Sequence, residues 1–545
     1  MGLGSGCKTI FESCQSVEYG GVLLTLPFLL VNGLMSFKNF FTDRSKGYYT
    51  FVQIILSYAF MFLCRIKTVE QSKHLSPGEF GKLLGLDRLA ESKCLRQVFK
   101  ELVVQNKTSD WGMYLSDEWI NDNQCCIFYV DGHVQVYHGY LGNLGKKHVS
   151  RQKLCLPGMM DFWVNDGDGK PFFYITGQVN EKLQQALERE IIPELLRIKN
   201  ITISEIDKDS KEPVFTIVFD REAYSLDFFA RLWNEYHIAV ITYNKNVKDQ
   251  WDESEFTPYT VETEYDSTQM RLSERQFEVN DVKMREVRKL NTSSHQTSII
   301  STNQILGINI LAKYMFARWC QENFFKYMRQ EYAIDKIIEY GVDEIDKDII
   351  VVNREYSNLT YKIKKIREKI SRRKAILFVE MGKNNKDTLE STGKYLKKEL
   401  EIREELKKLE KEEENFVAQR KQIPYYIKIG EMSEDTRYNK LKAESRHLIN
   451  IIKIICYRSD IAFANMLALN YKKSSEERMA LVKSIIYAKA DIEPDYVNNQ
   501  LIVSLYSLAT PRDNEAVKSI YNYLNETETK FPGTELKLIY KSATF

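Results

Sequence analysis

Three hydrophobic patterns follow one another along the chain. Up to residue 120 the apolar positions form continuous blocks or recur at helical spacing, which predicts a helical N-terminal region over residues 1–120. The two blocks, residues 22–34 and 48–64, are interrupted by Pro27, Gly33 and Gln53. Neither gives a clean run of the ~20 apolar residues that a membrane span needs, so they predict a buried helix pair rather than an anchor. The first residues are mixed and polar, unlike a secretory signal. Residues 76–101 hold two short amphipathic runs around a turn centred on Gly85. This is helix-turn-helix spacing, with Arg88, Lys93, Arg96 and Lys100 facing DNA from the second helix; a plain helical hairpin fits the pattern equally well.

The second pattern has the two-residue period of strands. Residues 125–130, 134–140, 153–163 and 172–179 are β-type runs separated by turns such as Asn165-Asp-Gly-Asp-Gly. A helix is expected over 181–198, then a buried strand over 214–219, a helix over 222–236 and a strand over 237–243, which together have βαβ spacing. That order predicts an α/β core over residues 121–352 with a mixed sheet of RNase H-like layout. Asp131 would end its first strand and Asp220 its fourth. Residues 245–305 read as a β-rich insertion, after which helical spacing resumes at Ile305.

The third pattern is a run of charged helices. Residues 361–374 carry eight bases and one acid around a seam of Leu359, Ile363, Ile366 and Ile370. A second charged helix over 389–420 and an intervening turn at Gly382 predict an antiparallel hairpin over 353–421. Such runs are usually solvated faces, with a DNA-backbone or dimer contact as the second reading. Residues 422–545 complete the chain as a small C-terminal domain. A chain of 545 residues exceeds what one core organises, which agrees with several domains. The net charge of +2 means that any polyanionic partner must be argued from local basic faces. The nine cysteines contain no CxxC pair, which points to reduced thiols in a cytosolic setting rather than a zinc ribbon or a disulfide frame.

The candidate chemistry lies in three acids. Asp131 and Asp220 each close an apolar strand pattern, on the rim of a sheet where a rigid element meets solvent, and Glu322 follows on a helix. Hard carboxylate oxygens in such a place suggest a divalent-metal site for nucleic-acid chemistry. Around Glu322, the bases Arg318, Lys326 and Arg329 share its helical stripe. Each acid has an ordinary reading when taken singly: Asp131 in a turn, Asp220 as a helix cap, Glu322 as a salt-bridge partner of Arg318 or Lys326. Only the ordered set favours catalysis. His133 and His138 follow Asp131, and solvated strand histidines are the commoner case for such positions.

The motifs Phe-Tyr-Val-Asp131-Gly-His, Val-Phe-Asp220-Arg-Glu-Ala-Tyr-Ser and Arg318-Trp-x-x-Glu322-Asn-Phe-Phe-Lys326 resemble those of bacterial DDE-type insertion-sequence transposases, in the branch with a β insertion before the final Glu. The resemblance spans roughly residues 70–360, with Met315 and Met328 where that branch often has Tyr and Lys. It implies two Mg2+ ions, for which Mn2+ can substitute, held by Asp131, Asp220 and Glu322. It also implies phosphate contacts from Arg318, Lys326 and Arg329, binding of terminal inverted repeats and target double-stranded DNA, a synaptic homodimer and a bacterial cytosolic setting. A nuclease without strand transfer, or a domesticated DNA-binding scaffold, would share these motifs.

Overall fold

The computed structural model describes residues 6–543, except 45–46, 122–125, 141, 150–151, 179–180, 246, 248, 263–266, 317–318, 337–340, 382–388 and 435–436; the side chains of 121, 319–322, 380–381 and 389–395 also lie outside the described residues. Arg318, the Glu322 side chain and the expected turn at Gly382 therefore fall outside them.

The apolar N-terminal blocks are buried in protein. Residues 20–31 form two short, largely buried helical turns, the second block forms helix α1 (Phe51–Leu63), and helix α2 (Ser92–Val104) comes after it. A Thr50–Gln53 capping box starts α1, and Gln53 also donates to the Cys7 carbonyl at 2.8 Å. The polar residue that interrupts the apolar run thus fixes the helix start. Among the described residues no helix is long and apolar enough to cross a membrane.

The largest sheet among the described residues has ten strands. Its strands are β1 (Ile127–Val136), β2 (Lys146–Val149), β3 (Leu154–Asp166), β4 (Pro171–Thr176), β5 (Thr216–Phe219), β6 (Ala239–Tyr243), β7 (Thr257–Glu262), β8 (Ser267–Val279), β9 (Val282–Leu290) and β10 (Gln296–Ser301). The order is β2-β3-β1-β5-β6-β10-β9-β8-β7, with β4 also on β3. β1, β5 and β6 run parallel, and the flanking pairs are antiparallel, so the sheet is mixed. Strands β7 to β10, expected as an insertion, extend this same sheet because β10 pairs with β6.

The runs 125–130 and 134–140 were expected as two strands. They are one, since the long β3 continues to pair with β1 from Phe128 to Val136. Two faces follow from the alternation along β1. Phe128 and Val130 join the larger core, whereas Ile127 and Tyr129 pack with Leu311 and Met315 of α3 (Ile308–Phe316), where Tyr129 donates to the Tyr314 carbonyl at 3.0 Å. Helix α4 (Trp319–Tyr332) follows α3, and its Phe324 and Phe325 pack on Trp163 of β3.

The packing divides the chain differently from the expected four stretches. Residues 1–137, 147–340 and 442–545 form one compact unit, and 138–146 with 341–441 form a second. In the first unit, strand Cys14–Val17 pairs with Ala490–Asp495 in a four-stranded sheet, so the two ends of the chain share a subdomain. The second unit contains the long charged helices α5 (Arg354–Met381) and α6 (Leu389–Lys421), whose seam is Ile366, Ile370, Ile402 and Leu406.

Helix α7 (Glu444–Ala468) is buried along most of its length and carries charge into the core of the first unit. Its Arg446 pairs with Asp161 of β3 at 2.6 Å, with both side chains almost wholly enclosed, and also donates to Gln135 and Thr176. Burial opposes the Arg446 charge, but Asp161 and then Tyr174 together outweigh it, so the Arg446 pKa lies above its ordinary value. His447 sits beside it, 3.2 Å from Thr176, and burial followed by repulsion from Arg446 pushes its pKa down to about 3. The fold therefore holds a neutral imidazole that the unfolded chain protonates near pH 6.5. The stability this contributes is complete above about pH 6.5 and is lost as pH falls toward 3. Between pH 7 and pH 5 the expected loss from His447 is about 2 kcal/mol. Urea unfolding midpoints at the two pH values check it: His447→Gln should flatten the slope, and an unchanged slope would contradict the assignment.

Candidate functional site

Asp131 and Asp220 occupy matching positions on neighbouring parallel strands. Val130 opposite Phe219 is the last pair of β1 with β5, and each aspartate follows by one residue. Asp220 leaves its strand there, as the sequence predicts. Asp131 does not end its strand: β1 runs on to Val136 along β3, with Asp131 opposite Trp163. What ends at Asp131 is the parallel ladder and, with it, full burial, since Ile127 to Val130 are buried and Asp131 is half-exposed. The apolar pattern marked that point, and the longer antiparallel partner carries the strand beyond it.

Each carboxylate is oriented by the backbone that follows it. Asp131 Oδ1 accepts from the Gly132 N–H at 2.9 Å, and Asp220 Oδ1 accepts from the Arg221 N–H at 2.7 Å. Asp220 is thus the N-cap of the 3-10 turn Arg221–Ala223, so the capping role and the place on the sheet rim coexist. Close by, burial raises the Glu222 pKa above its ordinary value against the pull of Lys147, with a smaller upward push from Asp220. Lys147 is lowered by burial, against the pull of Glu222 and Glu181.

A cavity of about 580 Å³ opens beside Asp131, lined by Asp131 and His133 from β1, His148 from β2, and Asn323, Lys326 and Arg329 from α4. The sequence-predicted Asp131, Lys326 and Arg329 are thereby brought together. Glu322 lies on α4 one turn before Lys326, and its side chain is outside the described residues. Among the described residues no three or more His, Cys, Asp or Glu groups are arranged to hold a metal ion. Asp131 and Asp220 are two hard oxygen donors at adjacent strand positions.

His133 departs from the expectation of a solvated strand histidine. It is buried and stacks on Phe325 of α4, with ring centres 5.4 Å apart and planes 17° apart. His148 and Asn323 were not anticipated. The strand of His148 is only four residues, Lys-Lys-His-Val, too short and polar to show alternation, and Asn323 lies directly after Glu322 in a helix of mixed aromatic and charged residues. Arg88 lies in the turn before helix Ser92–Val104, rather than on it, because Gly85 takes φ +63° and the Leu89 N–H returns to the Pro77 carbonyl. Lys93, Arg96 and Lys100 are exposed on that helix, Arg96 paired with Glu70 at 2.7 Å; none of these four bases lines the cavity.

The cavity wall is anchored from behind. Tyr327 and Tyr332 of α4 donate to Asp460 of α7 at 3.2 and 2.6 Å, and Arg65 donates to Asp460 at 2.9 Å and to both tyrosine oxygens at 2.8 and 2.9 Å. Glu331 ties α4 to Arg65 at 3.1 Å and to Lys483 at 2.9 Å. Burial works against the Arg65 charge, yet Asp460 first, then the two tyrosines and Glu331, hold its pKa well above the ordinary value. Burial raises both tyrosines, which keeps their hydroxyls as donors.

A carboxylate and two imidazoles from the sheet, beside an ammonium and a guanidinium from α4, suit a phosphate-bearing substrate. A family model described as a transposase protein matches residues 2–544, and the chain belongs to this transposase family. Membership implies a DNA partner and a DNA-cleaving and transferring class of activity. No curated protein gives a significant match.

Asp460→Ala leaves Arg65 buried without its main counter-charge, and stability is expected to fall by about 3–5 kcal/mol. Urea denaturation measures it. A loss below about 1 kcal/mol would show that α4 does not depend on this anchor.

Proposed function

We propose that this transposase is of the DDE type: it binds the inverted ends of its element, cleaves phosphodiesters there and transfers the 3′-OH ends to target DNA. The observation that carries the reading is the pair Asp131 and Asp220, one residue past the last parallel pair of a central sheet, with Asp131 lining one cavity together with Lys326 and Arg329. Asp131, Asp220 and Glu322 are the proposed ligands of Mg2+. When bound, two such ions activate an oxygen nucleophile and stabilise the leaving oxygen.

The chain's own groups have separable roles. Lys326 and Arg329 attract and position the phosphates that flank the scissile bond, at a wall held rigid by the tyrosines and Arg65 behind it. The Gly132 and Arg221 N–H groups each fix one oxygen of an aspartate, so the carboxylates meet substrate pre-oriented. His133, clamped on Phe325, forms a side of the cavity with His148. Because joining acts on two ends, the proposed working form is a homodimer on DNA.

The test uses the purified protein, DNA carrying the element's end, and Mg2+. Asp131→Asn and Asp220→Asn should each lower nicking by about a hundredfold or more while leaving end binding intact. Lys326→Gln should instead weaken binding and reduce its salt slope by about one. Nicking by either asparagine variant at the wild-type rate would overturn the acid assignment. Nicking without joined products would reduce the activity to that of a nuclease.

A further inference from the structure

The long hairpin carries a basic surface that the cavity does not use. Of the eight bases between residues 361 and 374, three are neutralised across the hairpin: Arg367 by Glu413 at 2.6 Å, Arg373 by Glu405 at 2.9 Å and Lys374 by Glu410 at 2.9 Å. Lys362 lies over the Phe416 ring. The others point elsewhere. Tyr361, Lys365, Lys369 and Arg372 recur at i, i+4, i+8 and i+11, a single stripe along α5, and all four are exposed. Lys364 is also exposed, beside that stripe. Tyr361 is 62% exposed, with the Lys365 ammonium 5.7 Å from its ring centre. Among the described residues, Lys364, Lys369 and Arg372 make no ion pair, and Lys365 pairs only along its own helix with Glu368.

We propose that this outward stripe of α5 is a second DNA-binding surface, which grips the phosphate backbone without reading sequence. The stripe is about 16 Å long at 1.5 Å per residue, enough to follow several phosphates of one strand. Exposed Tyr361 at its end offers a ring to sugar or base, as aromatic groups do in basic nucleic-acid tracks. A second copy of the chain is the poorer occupant. Three of the hairpin's acids, Glu405, Glu410 and Glu413, are already engaged by Arg373, Lys374 and Arg367 and are not available to answer the stripe. The proposal rests on the DNA partner that family membership implies, and not on the acid cluster.

Binding of the full-length protein to a fluorescent duplex of arbitrary sequence, titrated at several salt concentrations, tests it. Two triple variants of equal charge change are compared: Lys364→Gln with Lys369→Gln and Arg372→Gln on the outer face, and Arg367→Gln with Arg373→Gln and Lys374→Gln on the paired face. The outer set should weaken binding at least about tenfold and lower the log–log salt slope by about 2.7, while the paired set changes neither appreciably. The single variant Lys369→Gln should lower the slope by about 0.9, which guards against a folding defect in the triple variant. Equal effects from both sets would mean that only net charge matters, and no effect from the outer set would remove the surface; either overturns the proposal. A change in oligomeric mass from the outer set, with DNA binding unchanged, would overturn it in favour of a protein partner. The readout is binding rather than nicking, so its failure leaves the acid assignment untouched.

Discussion

The α4 wall of the cavity depends on charges that α7 carries through the interior. Arg446 reaches Asp161 on the sheet, and Asp460 reaches Arg65 and the tyrosines of α4. Taking such groups out of water costs several kcal/mol each, and an apolar replacement could hold the layers together as well or better. What ion pairs add is a fixed register. A leucine seam tolerates sliding, whereas Asp460 accepts from Tyr327, Tyr332 and Arg65 together in only one placement of α4. That placement brings Lys326 and Arg329 to the cavity that Asp131 lines. The retention of costly buried charge is explained by geometry at the cleft rather than by stability.

The same logic links the ends of the chain to its middle. Arg65 comes from the N-terminal region and α7 from the C-terminal one, and strand Cys14–Val17 joins Ala490–Asp495 in a shared sheet. The segments flanking the sheet in sequence are therefore structural supports of the cleft. The sheet contributes the complementary constraint. Its parallel ladder stops at Val130 and Phe219, which gives two aspartates one common edge, and its antiparallel ladder continues to His133 and beyond, which gives the cavity a floor.

Much of this was legible in the sequence where the signal is local. The apolar runs before Asp131 and Asp220, the βαβ spacing and the helical stripe of Lys326 and Arg329 depend on near neighbours, and periodicity reports those directly. The interruptions Pro27 and Gln53 likewise marked buried helices. What remained hidden depends on partners far along the chain. Whether Asp131 ends a strand is decided by the length of β3, not by the residues around it. Arg65, Arg446 and Asp460 look like surface charges until the partners hundreds of residues away are in place. His133 reads as a solvated strand residue until Phe325 covers it, and the strand of His148 is too short to announce itself.

The central claim is that Asp131 and Asp220 act together as one ion-binding edge. Mn2+ titration followed by electron paramagnetic resonance reads that edge directly, without requiring turnover. The account predicts saturable binding in the wild-type protein that is weakened by Asp131→Asn and by Asp220→Asn alike, with the double variant little worse than either single one. Binding that is unchanged in both variants, or lost in only one of them, would contradict it.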